Sequence, residues 1–466
     1  MKHALTGTVA ALLTISPAAR AERPGEAAFR SLYKQLVETN TTLSSGSCTL
    51  AAEQLATRLR AAGYTDAELT PFAIPEKPKE GGLVVVLPGR DAKAKAILLL
   101  AHIDVVEAKR EDWTRDPFTL VEENGYFYAR GASDDKAMAS IYADTMIRLK
   151  SEPRPRRTVK LALTCGEESN GAFNGAEWLA KNKRALIDAQ FALNEGGGGR
   201  VDKDGKPVAL AIQISEKTSQ NYTLTATNPG GHSSMPRPDN AIYSVANAVV
   251  KVEAYSFPVK LDATTKAFFT ASARMMPTPV AAAMTAIVAN PGDVGAAGLL
   301  SRDPQINSTL RTTCVATLIG GGHAENALPQ KSTANINCRI FPGETIEATQ
   351  ARLAEVIGDP GVKITAQVRR GPPSRAQKLD PAVLGPAETL ARQMYPGLPM
   401  VPIMSTGASD SIFLSAVGIP SYGVPGVMYE SDGGGIHGLN ERIRVKSVLD
   451  GRDYRHRLIR LYAEAK

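Results

Sequence analysis

The sequence predicts an α/β fold: a doubly wound, mostly parallel sheet into which a smaller ferredoxin-like α+β domain is inserted. Three observations carry this reading. The chain has 466 residues, more than a single hydrophobic core serves, so more than one domain is expected. Short apolar runs at 81–89 (GGLVVVLPG), 95–104 (KAILLLAHID), 158–168 (TVKLALTCGEE) and 189–199 (AQFALNEGGGG) are continuous rather than alternating, as in strands covered on both faces. Past Glu216 the pattern changes to alternating runs, and after Gly371 the α/β pattern returns.

Taken in order, Phe29, Leu32 and Leu36, then Leu50, Leu55 and Leu59, recur at helical spacing and predict a helix pair before the sheet. Helical stretches at 136–150 and 176–183 separate the strands that follow. The alternating NYTLTATNPG (221–230) reads as a strand and 240–255 as a helix. RTTCVATLIGGG (311–322) and STANINCRIFPG (332–343) read as a hairpin, 345–358 as a helix and 362–370 as a strand. That order, βαββαβ, is the ferredoxin-like layer. An Ala-rich helical stretch at 260–306 interrupts it and has no place in the pattern. The α/β pattern resumes with 382–395 and 418–426, so the larger domain comprises 22–217 and 371–466 and the inserted one 218–370.

Residues 1–21 differ from the rest. Lys2 and His3 precede an uncharged stretch from Ala4 to Ile15, and Ala19-Arg20-Ala21 fits a small-x-small cleavage site. A signal peptide cut after Ala21, and a periplasmic or secreted protein, are expected. No later segment approaches the roughly 18 apolar residues of a membrane span. Formal charge is +7, of which the leader carries Lys2 and Arg20, and the PRPRR cluster at 153–157 reads as a solvated loop, so nucleic acid is not an expected partner. Four cysteines are too few and too scattered for a disulfide scaffold, and core positions are expected for most of them. Cys314 and Cys338 stand apart because they lie equally far from Asn326 in the hairpin, where an oxidising compartment would let them join.

Three of the continuous runs end in residues suited to metal binding: His102 and Asp104, Glu167 and Glu168, and Glu195. The carboxyl ends of strands in an open α/β sheet line one crevice, so these side chains converge there. With Asp134 and His437 they form a set of imidazoles and carboxylates suited to one or two divalent metals, zinc preferred.

The ordered motifs AHID, GASDDKA, GEES, NEGG, GGHSSMP, NALPQ, CRIFPGE and SDGGGIHGLNE resemble the di-zinc metallopeptidase and amidohydrolase family of aminoacylase, glutamate carboxypeptidase, Xaa-His dipeptidase and succinyl-diaminopimelate desuccinylase. The resemblance covers nearly the whole chain after the leader. It implies two zinc ions, with cobalt or manganese as substitutes. Asp134 would bridge them, with His102 and Glu195 on one and Glu168 and His437 on the other. It further implies Glu167 as general base, Asp104 as the acid orienting His102, His232 as oxyanion stabiliser, Arg339 as holder of a substrate carboxylate and Asn326 as a polar contact. Relatives often pair through edge strands of the inserted domain, a lid, whose histidine reaches the partner's site, so a homodimer is implied. Two departures stand out: Ala137 replaces a common Gly, and TGASDS (406–411) carries Ser409 where the carboxypeptidase-like branch has Thr. The expected function is an exported dipeptidase or carboxypeptidase cutting an amide bond beside a free carboxylate. An N-acyl-amino-acid amidohydrolase is the alternative, and Arg339 does not separate the two. A silent binding protein is disfavoured because Glu167 and all five ligand positions are filled.

Overall fold

The computed structural model describes residues 22–169 and 172–466, so the expected signal peptide lies outside the described residues. The larger unit is built on a ten-stranded sheet. Its order is Leu69–Ile74, Lys77–Leu87, Val159–Thr164, Ile97–His102, Phe191–Asn194, Ser421–Gly423, Pro207–Glu216, Gly198–Val201 and Met428–Tyr429, with Met400–Ser405 also paired to Pro207–Glu216. Its centre, from Val159–Thr164 to Ser421–Gly423, is parallel. One flank is antiparallel, because Leu69–Ile74 and Lys77–Leu87 add as a hairpin.

The continuous apolar runs have a direct cause. Along Ile97–His102 every residue is buried. Ile97, Leu99 and Ala101 join one core with helices Glu26–Glu38, Cys48–Ala61, Lys136–Ser151 and Val445–Glu464. Leu98 and Leu100 join a second core on the opposite face with Gly175–Asn182 and Ser411–Ala416. A strand whose side chains alternate between two covered faces gains from an apolar residue at every position.

Residues 218–366 form a four-stranded antiparallel sheet in the order Thr313–Gly321, Lys331–Ile340, Thr218–Thr227 and Val362–Ala366. Helices Ala241–Ala254 and Ile346–Ile357 pack on one face, around Tyr222, Leu224, Ile336 and Cys338. The other face carries Ser219, Asn221, Asn335, Asn337 and Arg339, which explains the alternation in the sequence. The stretch without a place in the pattern folds into four helices, Ala263–Ala273, Thr278–Ala289, Val294–Leu300 and Pro304–Leu310, around Phe269, Met284, Ile287 and Leu300. A hydrogen bond from Lys260 N to Leu310 O closes its base, and helix Ala263–Ala273 packs on strand Met400–Ser405 of the larger sheet.

The PRPRR loop is less solvated than its composition predicts. Arg157 is buried, and both Arg156 and Arg157 donate to the carbonyl of Ala465, tying down the last helix. The cysteines take the core positions expected of most of them, with Cys48, Cys165 and Cys338 buried, and they are also paired. Cys314 and Cys338, opposed in register, are joined, and so are Cys48 and Cys165, 117 residues apart. Cys165 directly precedes Gly166-Glu167-Glu168, so the second bridge fastens the end of a central strand to the start of helix Cys48–Ala61.

Candidate metal centre

The parallel strands deliver His102, Glu167, Glu168 and Glu195 to one end of the sheet, and two loops add Asp134 and His437. Asp134 stands between the imidazoles: its Oδ1 lies 3.3 Å from His102 Nε2 and its Oδ2 3.3 Å from His437 Nε2. Glu195 Oε2 is 3.9 Å from His102 Nε2, and Glu168 Oε1 is 2.8 Å from His437 Nε2. Two compact ligand sets result, His102, Asp134 and Glu195 on one side and Asp134, Glu168 and His437 on the other. They share Asp134.

The donor set fits divalent metal. Asp134, Glu167, Glu168 and Glu195 gather without a hydrogen bond or ion pair from any Lys or Arg among the described residues. Glu195 Oε1 is buried without a hydrogen-bond partner. Burial pushes Glu195 well above the usual carboxylate range, and the neighbouring Glu167 adds to the shift. His437 is pushed up to about 10 by its hydrogen bonds to Asp134 and Glu168. Carboxylates and imidazoles gathered in this way are the donor set that a divalent cation takes. The nearby cluster of Cys48, Asp104 and Cys165 offers no such site because its cysteines are paired.

The protein orients these groups through its own hydrogen bonds. His102 Nδ1 lies 3.1 Å from the main-chain carbonyl of Asp104 and 3.7 Å from its carboxylate. The carbonyl accepts a hydrogen bond from Nδ1–H, which holds the ring in the tautomer whose Nε2 lone pair is open to a metal beside Asp134. The Asp104 carboxylate instead accepts from the amides of Glu167 (3.3 Å) and Glu168 (3.1 Å). Adjacent in sequence, those two glutamates part ways: Glu168 meets His437, whereas the Glu167 carboxylate has no hydrogen-bond partner among the described residues and stays within reach of His102. Burial pushes Glu167 well above the carboxylate range, with the nearby Asp410, Glu168 and Asp104 acting in the same sense.

Glu441 is the residue that sequence reasoning passes over. It is buried and accepts from Arg130 (2.9 Å) and from the amides of Gly131 (2.9 Å), Ser133 (2.8 Å) and Asp134 (3.0 Å), so it shapes the loop that presents Asp134. Its signal was present at the end of the SDGGGIHGLNE motif, four residues after His437.

The remaining predicted residues lie away from this cluster. His232 is exposed on a two-stranded ribbon with Ala327, next to Asn326, and its Nδ1 is 2.8 Å from Ser234 Oγ. Arg339 sits on the helix-free face of the four-stranded sheet opposite Ser219, half-buried and without a hydrogen bond or ion pair among the described residues. Neither His232, Asn326 nor Arg339 touches the ligand sets.

Fold and site together define a metal-dependent hydrolase. Residues 98–461 match peptidase family M20/M25/M40, and the chain belongs to that family. It is 28% identical over 399 residues to the human N-fatty-acyl-amino acid synthase/hydrolase PM20D1, covering 81% of this chain and 76% of that one. It is also 28% identical over 388 residues to a probable carboxypeptidase S-like 2 of Dictyostelium discoideum, covering 81% and 74%. Among solved structures, the M20 family metallo-carboxypeptidase Sso-CP2 of Sulfolobus solfataricus superimposes with a TM-score of 0.69 at 18% identity, covering 94% of this chain and 99% of that one.

Proposed function

We propose that this chain is an exported, zinc-dependent exopeptidase, a dipeptidase or carboxypeptidase, that hydrolyses the amide bond next to a free carboxylate. The observation that carries the reading is Asp134, whose two oxygens face two separate ligand sets, with the Glu167 carboxylate beside them and within reach of His102. His102, Asp134 and Glu195 would hold one metal, and Asp134, Glu168 and His437 the other. Bound divalent metals supply Lewis acidity that brings the pKa of water to about 7 and steadies negative charge on a carbonyl oxygen. Glu167, its proton affinity raised by burial, takes the proton of the attacking water and returns it to the leaving nitrogen. Arg339, an unpaired guanidinium on the inserted sheet, supplies the fork for a substrate carboxylate. His232 and Asn326, from the inserted unit of this copy or of a second one, complete the site, with His232 steadying the oxyanion.

A second reading, hydrolysis of N-acyl amino acids, is favoured by the likeness to PM20D1. The protein assayed against dipeptides beside N-acetyl amino acids decides between them through kcat/KM. Chelation should abolish hydrolysis and metal add-back restore it. Full activity in metal-free protein would refute the mechanism, and metal analysis of the purified protein tests zinc against cobalt or manganese.

Two features support a homodimer through the inserted unit acting as a lid. Thr313–Gly321 is an edge strand with Val315, Leu318 and Ile319 exposed, and the adjacent helix Ala241–Ala254 exposes Tyr243 and Val250. Unpaired backbone next to an apolar strip suits a second copy of the same strand. Export rests on the leader at 1–21 and agrees with two disulfides.

A further inference from the structure

A cavity of ≈ 660 Å³ opens beside Glu167, a volume ordinary for a ligand site. Its lining joins Ser409, Asp410, Ile412 and Phe413 to the helix-free face of the inserted sheet, with Asn221 and Gln367. That face is tied together by side-chain amides. Asn221 Oδ1 accepts from Asn335 Nδ2 (3.1 Å) and Asn337 Nδ2 (2.9 Å). Gln367 Nε2 donates to Thr223 Oγ1 (2.9 Å) and Asn335 Oδ1 (3.0 Å).

The network couples the orientations of these amides, so that the two ends left over are one donor and one acceptor. Asn221 has its oxygen occupied and its nitrogen free, whereas Gln367 has its nitrogen occupied and its oxygen free among the described residues. The two are neighbours, since Gln367 N donates to Asn221 O (2.9 Å). An unused donor next to an unused acceptor is the complement of a neutral amide, whose carbonyl accepts and whose N–H donates. Both are locked before binding, which spares the ordering of flexible side chains.

Charged groups of the lining are largely engaged within the protein: Asp410 accepts from Asn174 Nδ2 (2.6 Å) and Thr164 Oγ1 (3.3 Å). The cavity's guanidinium groups are engaged by main-chain carbonyls: Arg369 donates to Ser219 O and Gly371 O, and Arg370 to Ser169 O and Ala172 O. The unpaired Arg339 is not among the lining residues.

We propose that this cavity is a subsite for a neutral amide of the substrate, held between Asn221 Nδ2 and Gln367 Oε1 beside the bond on which Glu167 acts. The inference rests on the hydrolase reading above and deepens it. The amide comes either from the main chain of a longer peptide or from an Asn or Gln side chain, and a plain aliphatic acyl chain leaves both polar groups unmatched.

The test compares two pairs of substrates of matched length: N-acetylglycyl-leucine with pentanoyl-leucine, and N-acetyl-glutamine with N-acetyl-methionine. In wild type the amide-bearing member of at least one pair should lead by about 10- to 100-fold in kcat/KM, because unmatched polar groups penalise the other. Preference in the first pair assigns the main-chain amide, and preference in the second the side-chain amide. In Asn221→Leu, or in Gln367→Met if the first does not fold, that ratio should fall close to one. Hydrolysis of all four without preference overturns the subsite and leaves the hydrolase standing, as does a preference that both variants keep. Hydrolysis of none overturns the hydrolase, and calorimetric binding of the same four compounds to wild type then decides the subsite through the same ratio in Kd.

Discussion

Glu167 and Glu168 show how neighbouring residues of one type acquire different chemistry. Asp104 accepts from both of their amides and so fixes both main-chain positions, while only the Glu168 carboxylate meets an imidazole. Glu167→Gln is therefore expected to keep both metals, measured by metal analysis, while turnover falls by about 10²- to 10⁴-fold. Glu168→Gln is expected to lose metal, because it removes a ligand charge. Equal metal loss in the two variants would show the roles to be exchanged or shared. Glu441 acts one step further out, through the loop amides it accepts from, including that of Asp134. Glu441→Gln should weaken metal affinity by about 10- to 100-fold, and a titration with a competing chelator reads that directly. Unchanged affinity would mean the loop holds its shape without it.

At the scale of elements, the passage between the two sheets concentrates buried polar groups. Strand Pro207–Glu216 ends at Glu216 and the four-stranded sheet begins at Thr218, while the returning chain is fastened by Ser374 N to Thr218 Oγ1 (2.8 Å) and Arg369 Nε to Ser219 O (2.9 Å). Glu216 accepts from Ser409 Oγ (2.7 Å), yet its burial raises its pKa to about 8. An acid with a raised folded-state pKa stays protonated in the fold while the unfolded chain ionises. Its contribution to stability is therefore lost as pH rises from the ordinary carboxylate value towards 8. Lys217 nearby is lowered to about 7 by burial, which acts in the opposite sense above that pH. The comparison that isolates Glu216 is the Glu216→Gln variant: its stability relative to wild type should climb as pH goes from 5 to 8. Each pKa unit corresponds to about 1.4 kcal/mol, so denaturant melts across that range resolve the trend. A flat difference would place Glu216 ionised in the fold.

For the whole molecule, the exposed position of His232, outside its own chain's ligand sets, bears on assembly. In a dimer built on the Thr313–Gly321 edge, His232 of one copy would serve the site of the other. Mixing His232→Ala with Glu167→Gln protein, each nearly inactive, should then recover activity in the heterodimer, because one of its sites receives both intact residues. A chain that uses His232 in its own cleft after closure recovers nothing on mixing. Sedimentation of the wild type showing only monomers, together with no recovery, would rule the shared site out.

What the sequence determined by itself was whatever depends on neighbours along the chain. Continuous apolar runs marked Ile97–His102, Val159–Thr164 and Phe191–Asn194 as strands covered on both faces, and the polar residues ending them are legible as a convergent set because parallel strands align their carboxyl ends. Alternation marked 221–230 and the hairpin reading marked 332–343, which fall on strands Thr218–Thr227 and Lys331–Ile340. The tertiary structure alone decided what depends on distant partners. Leu69–Ile74 contains a proline and two exposed positions, and it became a strand only by pairing with Lys77–Leu87 at the sheet's edge. Cys48 meets Cys165 because helix Cys48–Ala61 and strand Val159–Thr164 share a core, and Glu441 reaches the Asp134 loop from 307 residues away. The free amide ends of Asn221 and Gln367 follow from the register of three strands. Local propensity carries no information about register or about which buried acid meets which main-chain amide, because those pairings are set by the packing of whole elements.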